Sequence, residues 1–290
     1  MTVKAVPWLF LVPGIGVLLL AGWVLAETQL PGAGAAALLH PSRRRLVAAQ
    51  PPMCRDVAVT SETLQLRGWQ CEAATLRRGT IVYLHGVADN RSSATGVIER
   101  FTPRGFDVFA YDSRAHGESD GGTCTYGFFE KNDLHRILDT VAPGPIVLIG
   151  SSLGGAVALQ EAARDPRVTA VVAAESFSDL RTVATERAPA FFTAGIIAQA
   201  FRVAEQQGAF SVDDVSPVAA AADVRIPVLL IHGAADVDTP PDHSRRILAA
   251  LKGPKRLILV PRAHHNESLT EESWTEVERW IDSVLNGRPI

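Results

Sequence analysis

The chain has 290 residues, of which 47% are hydrophobic and 20% charged, and its formal net charge is −3 with a pI near 6.2. That length and apolar content suffice for a large core and favour one folded α/β domain over disorder. Because the charge balance is slightly acidic, the chain lacks the basic field that holds phosphate backbones, and we expect no nucleic-acid partner.

An uncharged stretch covers residues 7–26, close to the roughly 20 residues that cross a bilayer. Trp8 and Trp23 stand near its two ends, where interfacial aromatic residues are expected. We therefore predict that residues 1–30 form a single membrane anchor. A cleaved signal peptide is the alternative, because the Val-Leu-Ala sequence before Glu27 resembles a small-residue cleavage site.

Residues 31–54 are rich in Pro, Gly and Ala and show no sustained period, which predicts a linker between the anchor and the globular body. The three arginines at 43–45 would place the body on the cytoplasmic side by the positive-inside rule. The cysteines favour the opposite, extracytoplasmic side, and we adopt that side as the working expectation.

Two short β-branched runs flank Glu62 and Thr63 and predict a hairpin. A two-residue turn there would set Cys54 opposite Cys71 at a non-hydrogen-bonded position, where a Cα separation of about 4.5 Å permits a disulfide. Such a bond implies an oxidising compartment and leaves Cys124 free. Three unconnected thiols are the alternative, because Glu-Thr is not a favoured tight-turn pair.

Beyond the hairpin, short apolar runs alternate with helical patterns, which is typical of βαβ units and a mostly parallel sheet with helices on both faces. With the hairpin, the sheet should have about eight strands, and the later strands are predicted at 80–84, 107–111, 145–149, 169–173, 227–231 and 256–260. Ligands bind at the carboxyl ends of such strands, so the polar residues that follow each strand are the site candidates.

The segment Gly150-Ser151-Ser152-Leu153-Gly154 lies between a predicted strand and an alanine-rich helical pattern. A sharp turn from strand to helix needs small neighbours, which the two glycines supply. The turn would present the Ser152 hydroxyl as a nucleophile, with the Leu153 N–H beside it as an oxyanion donor. An ordinary glycine-rich turn is the alternative for one such motif.

Two earlier strand ends also carry polar residues. After the first, Gly86 permits a close backbone approach, and the N–H of Val87 or Ala88 is the second candidate oxyanion donor. We interpret His85 as a brace of this turn, and the polar segment 112–121 after the next strand as a structural loop.

An acid and a histidine follow the last two predicted strands, in the order serine, acid, histidine that hydrolases on this sheet use. An imidazole must take the serine proton, and a carboxylate must orient that imidazole. We assign Asp236 as the acid and His265 as the general base. Asp238 and His264 are the reserve candidates.

Residues 176–215, approximately, depart from simple alternation and place phenylalanines among alanines. We predict a small helical cap here, whose apolar inner face would select an acyl or other hydrophobic group. Plain core packing of these aromatic side chains is the alternative.

The chain resembles the α/β-hydrolase superfamily from about residue 56 to residue 286, which implies a hydrolase domain over 55–290. The resemblance rests on the Gly150 to Gly154 motif together with His85-Gly86, residues 112–119, Ser216-Pro217, residues 226–236 and His265-Asn266. Within the superfamily, the chain is similar to the membrane-anchored, serine-aminopeptidase-like (S33-type) branch. The resemblance implies Ser152, Asp236 and His265 as the catalytic triad, although His264 stands where relatives usually carry a small residue.

These features predict a serine hydrolase that cleaves an ester or thioester of a small-molecule or lipid-like acyl substrate, without a metal or other cofactor. An aminopeptidase-type enzyme is the alternative, and it would need cap carboxylates to hold a substrate ammonium, where only Glu205, Asp213 and Asp214 are available. A catalytically silent binding module is the alternative from another class, because fold alone does not establish activity.

Overall fold

The computed structural model describes residues 28–289. One sheet has eight strands in the order β1-β2-β4-β3-β5-β6-β7-β8. The strands are β1 Cys54–Ser61, β2 Leu64–Cys71, β3 Gly79–Leu84, β4 Phe106–Tyr111, β5 Ile146–Ser151, β6 Val168–Ala174, β7 Val228–Gly233 and β8 Lys255–Val260. Strand β2 pairs antiparallel with both neighbours, and the other pairs are parallel. The predicted mostly parallel sheet of about eight strands is confirmed.

Helices cover both faces of this sheet. Helix α1 is described over residues 28–39; the others are α2 Thr95–Phe101, α3 Glu130–Leu138, α4 Leu153–Ala162, α5 Leu180–Glu186, α6 Ala194–Gly208, α7 Pro217–Ala221, α8 Asp242–Ala250 and α9 Glu271–Leu285. Side chains of α3, α4, α7 and α8 pack in one core, and those of α2 and α9 pack in the other. Alternate residues of β3 enter the two cores, so both faces of the strand are buried.

The first hairpin has the predicted register. Ser61 pairs with Leu64 across a two-residue turn, and Cys54 pairs with Cys71. Glu62 takes up the left-handed conformation, with φ of +53°, that this tight turn requires. The Cys54–Cys71 disulfide is formed, and Cys124 is free and buried. Of the two alternatives that the sequence left open, the structure thus has the disulfide and not three unconnected thiols.

The region expected to be a linker begins with a helix. Pro31, Ala35 and Leu39 are buried at spacings of four residues, so α1 turns one face toward the domain. At its end, the Leu39 carbonyl accepts the Cys124 N–H at 2.8 Å. Residues 31–39 of the expected linker are thus helical and packed against the domain.

The predicted anchor at residues 7–26 lies outside the described residues. Within residues 28–289, no helix combines the length and apolar character needed to cross a bilayer. Helices α5 and α6 occupy the region where a cap was predicted, and Phe177, Phe201 and Phe210 are buried there. The division into anchor, linker and capped domain stays a prediction.

Candidate active site

Ser152 lies at the turn between β5 and α4, in a strained backbone conformation with φ of +50° and ψ of −111°. The turn is too tight for side chains on its glycines. A Cβ on Gly150 would lie 2.3 Å from the Gly154 carbonyl carbon, and one on Gly154 would lie 2.1 Å from the Leu84 oxygen. The glycines thus let strand and helix meet, and Ser152 projects from their junction.

His265 contacts both of its predicted partners. Its Nε2 lies 3.0 Å from the Ser152 hydroxyl oxygen, and its Nδ1 lies 2.7 Å from Oδ2 of Asp236. Since the carboxylate accepts the Nδ1 proton, Nε2 is left free to accept the serine proton. The structure thus brings together three side chains from the ends of β5, β7 and β8.

Asp236 is held as a carboxylate. Its Oδ1 accepts the N–H groups of Asp238 and Thr239 at 3.0 and 2.8 Å, and His232 Nε2 lies 3.3 Å from Oδ2. Burial alone would raise the pKa of Asp236, but hydrogen bonds from His232, His265 and Thr239 outweigh it and hold the pKa well below its usual value. The acid therefore stays ionised and can stabilise a protonated His265.

The reserve candidates are not in this arrangement. Asp238 contributes its backbone N–H to Asp236, and its own side chain is exposed. His264 is also exposed, and its backbone N–H is donated to Glu267 Oε2 at 2.9 Å. The side chains in contact with one another are those of the first assignment.

The two residues predicted to donate to an oxyanion, Leu153 and Val87, belong to segments that adjoin Ser152. Leu153 is the first residue of α4, so its N–H has no partner within the helix. Gly86 approaches Ser152 so closely that an added Cβ would lie 3.6 Å from the serine Cβ, and Val87 lines the same cavity as Ser152. These positions suit a pair of donors to a developing oxyanion.

Comparison with known proteins shows which family the chain belongs to. A sequence profile of the alpha/beta hydrolase fold matches residues 79–213. The uncharacterized protein YfhR of Escherichia coli O157:H7 is 30% identical over 217 residues, which cover 71% of each chain. The chain belongs to the α/β-hydrolase superfamily.

One solved structure and one further sequence relative are named for an activity. The Pyrococcus furiosus esterase Pf2001 superposes with a TM-score of 0.66 at 21% identity, covering 86% of this chain and 100% of that one. The mouse mitochondrial palmitoyl-protein thioesterase ABHD10 is 31% identical over 153 residues, 48% of this chain and 51% of its own. The first comparison shows a shared fold.

In this α/β-hydrolase, His85 stabilises the turn that contains Val87. Its Nε2 accepts the Ser113 N–H at 3.0 Å, so Nδ1 carries the proton and donates it to the Gly86 carbonyl at 2.7 Å. The ring packs edge-on against that of His116. These bonds agree with the interpretation of His85 and of residues 112–121 as structural supports.

Two residues beside the site, Glu175 and His232, are not among the candidates that the sequence indicates. Glu175 follows β6, is buried, and accepts the N–H groups of Asn266 and Ser268 at 2.5 and 3.0 Å. His232 at the end of β7 contacts Asp236 and donates from Nε2 to the Thr239 carbonyl at 2.7 Å. Their signal was their place at strand ends, the same one that pointed to Asp236.

The site opens into a cavity of about 460 Å³. Its walls combine backbone from the β3 turn with charged side chains from several loops: Arg44, Asp89, Arg187 and Asp238. Ser152 itself is 5% exposed. The hydroxyl is therefore shielded from bulk water yet reachable from this cavity.

One group within residues 28–289 has the spacing of metal ligands: His135, Glu161 and Asp165, whose ligand atoms lie within 4.8 Å of one another. Arg164 Nε lies 2.5 Å from Glu161 Oε2, and Arg167 Nη2 lies 2.6 Å from Asp165 Oδ2. Because two guanidinium groups already neutralise the carboxylates, we interpret the group as an ion-pair network.

Proposed function

We propose that the protein is a serine hydrolase that cleaves carboxylic esters or thioesters through an acyl-enzyme. One observation carries the proposal: the His265 imidazole lies within hydrogen-bond distance of both the Ser152 hydroxyl and the Asp236 carboxylate. In unrelated folds, this arrangement activates a serine for acyl transfer. The esterase activity in the name of the structural neighbour and the thioesterase activity in the name of the mouse relative support the same reaction class.

The reaction has two halves. Ser152 Oγ attacks the acyl carbonyl carbon while His265 Nε2 takes its proton, and the carbonyl oxygen becomes an oxyanion between the N–H groups of Leu153 and Val87. The carbon–oxygen or carbon–sulfur bond then breaks, and the leaving alcohol or thiol takes the proton from the imidazolium. Water next attacks the acyl-enzyme with His265 again as base, which releases the acid and regenerates Ser152.

We also propose that residues 1–30 anchor the enzyme in a membrane, with residues 55–290 on the extracytoplasmic side. The disulfide between Cys54 and Cys71 supports export, because such bonds persist in oxidising compartments. Labelling of intact cells with a membrane-impermeant lysine reagent would test the side of the membrane. Lys252 and Lys255, which belong to the catalytic body, should react if that body is extracytoplasmic.

Labelling with a fluorophosphonate tests the catalytic proposal. The wild-type chain should be labelled, Ser152→Ala should not, and the neighbouring Ser151→Ala should keep its label. Hydrolysis of p-nitrophenyl acetate, acetylthiocholine and an aminoacyl p-nitroanilide would then separate ester, thioester and aminopeptidase activities. A wild-type chain without labelling and without hydrolysis would favour a binding module, and labelling that survives in Ser152→Ala would refute our nucleophile.

A further inference from the structure

A second cavity lies between α1 and the two helices of the predicted cap. Its volume is about 510 Å³, within the range of about 300–1,000 Å³ that is usual for small-molecule sites. Helix α1 lines it with residues at helical spacing: Leu30, Ala33, Gly34, Ala37 and Leu38. Side chains from α5 and α6 form the facing walls. The cavity is thus a groove enclosed by three helices rather than a gap inside the hydrolase core.

Helix α1 is fixed in place as one wall. An added Cβ on Gly34 would lie 3.1 Å from Ala200 Cβ and 3.1 Å from Phe192 Cε2, so the helix approaches α6 closely. A second face of α1 is held by the buried Ala35 and Leu39, which join the same hydrophobic cluster as side chains of α5 and α6. Such packing on two sides gives the cavity a defined shape.

The lining offers almost nothing to a polar ligand. Its polar side chains are Tyr126 and Arg187, and both have partners elsewhere. The Tyr126 hydroxyl donates to the Leu38 carbonyl at 3.1 Å, and Arg187 Nε donates to the Asp238 carbonyl at 2.7 Å. An occupant must therefore bind by burial of apolar surface, which an alkyl chain does and a peptide or sugar does not.

Arg187 joins this cavity to the active site. It lines the apolar cavity and also the cavity that contains Ser152 and His265. Its Nη2 is hydrogen-bonded to the Thr239 hydroxyl, and the Thr239 N–H is donated to Asp236. The arginine is thus anchored to the loop of the acid, at the boundary between the polar and apolar parts.

We propose that the apolar cavity holds the alkyl tail of the acyl group, so that the substrates are long-chain fatty acyl esters or thioesters. The inference rests on the proposed function, because it assumes that the acyl carbonyl lies at Ser152. The tail then passes Arg187 and lies against α1, and α1 becomes part of the substrate site. The exposed Phe191 lines the same cavity and gives it an apolar rim through which a lipid tail can enter.

Paired substitutions on α1 test this assignment in the full chain. Ala37→Trp fills the cavity, whereas Ala36→Trp places the same side chain at an exposed position that does not line it. In wild type, kcat/KM should rise from p-nitrophenyl acetate to octanoate and palmitate. Ala37→Trp should lower the ratio of kcat/KM for palmitate to that for acetate at least about tenfold, and Ala36→Trp should keep the wild-type ratio.

Binding of an anthroyloxy-labelled palmitate to Ser152→Ala gives a readout without turnover. Adding Ala37→Trp to that background should weaken binding, and adding Ala36→Trp should not. If acetate is hydrolysed but palmitate is not preferred, or if both tryptophans act alike, the cavity assignment is refuted while the proposed function stands. If the wild type hydrolyses acetate but the probe does not bind to Ser152→Ala, the assignment is also refuted. A wild-type chain that hydrolyses none of the three esters would refute the proposed function itself.

Discussion

The buried carboxylate of Glu175 accepts the backbone N–H of Asn266, the residue directly after His265. A second bond from Ser268 N–H makes the contact bidentate. Glu175 follows β6 and takes a left-handed backbone conformation with φ of +54°. A neighbouring strand end therefore fixes the loop that carries the imidazole, although Glu175 itself lies 4.0 Å from His265 Nδ1.

Glu175→Gln should impair catalysis through the position of His265. A glutamine has one acceptor oxygen, so one of the two loop N–H groups loses its partner and the loop shifts. Because a small misplacement of a catalytic group can cost about a hundredfold, we expect kcat to fall about tenfold to a hundredfold with KM little changed. Steady-state kinetics on a p-nitrophenyl ester would measure the split.

Glu267→Gln is the matched control, since Glu267 accepts the His264 N–H at the exposed side of the same loop. It should leave kcat within about twofold, as surface substitutions usually do. Equal losses in the two variants would contradict a specific positioning role for Glu175, as would a change confined to KM.

The two adjacent histidines should differ sharply. His265→Ala removes the group that contacts Ser152 and Asp236, and by analogy with other triads kcat should fall by about 10⁴ or more. His264→Ala removes an exposed ring, and its kcat should stay close to wild type. Rates of fluorophosphonate labelling measured beside turnover would report the loss of serine activation directly. The reverse ranking would transfer the role of base to His264.

The Cys54–Cys71 disulfide should stabilise the edge of the sheet. It joins residues separated by 17 positions, and closing a loop of that size is worth about 3 kcal/mol in the chain-entropy model. The double variant Cys54→Ala with Cys71→Ala should therefore lower the urea midpoint of unfolding. Peptide mapping without reduction should recover the two cysteines as one linked peptide.

Cys124→Ala provides a control for the loss of a thiol, since Cys124 is buried and unbonded. Treatment with a reductant should lower the midpoint of wild type and of Cys124→Ala, and leave the double variant unchanged. A reductant effect that persists in the double variant would contradict this explanation.

Much of the fold was predictable because periodicity reports burial directly. All eight strands were expected, and the site residues followed from the rule that ligands lie at the carboxyl ends of strands. The local sequence pattern did not indicate helix α1, because small residues such as Gly34 and Ala35 carry little hydrophobic signal. Their helix is stabilised by contacts with side chains far along the chain, including Ala200.

The supports of the site were less predictable than its reactive groups. Ser152 lies in a motif whose glycines are visible in sequence, and Asp236 and His265 follow strands. Glu175 acts through backbone N–H groups more than 90 positions away, and no short-range pattern encodes such a contact. The contact of His232 with Asp236 likewise depends on how the loop after β7 folds back.

Buried histidines should make the folded state less stable in mild acid. Burial, together with the neighbouring His85, lowers the pKa of His116 to about 4, whereas an unfolded chain binds the proton near pH 6.5. Between these values the unfolded state holds more protons, so stability is fully present above pH 6.5 and falls as the pH drops toward 4. The lowered pKa of His116 corresponds to about 3 kcal/mol of unfolding free energy. Burial also lowers the pKa of His85 and of His243.

His116→Asn tests this dependence. An asparagine amide can replace the Nδ1–H that His116 donates to the Arg114 carbonyl at 2.8 Å, and it does not titrate. The urea midpoint of wild type should decrease as the pH is lowered from 7 to 4.5, and that of His116→Asn should decrease less. The exposed His264→Asn should follow wild type. Carboxylates whose pKa is lowered in the folded state, such as Asp236, stop stabilising the fold only below the ordinary carboxyl pKa of about 4. That pH lies below the range of this experiment. An equal fall in wild type and His116→Asn would therefore exclude His116 as a source of the acid sensitivity.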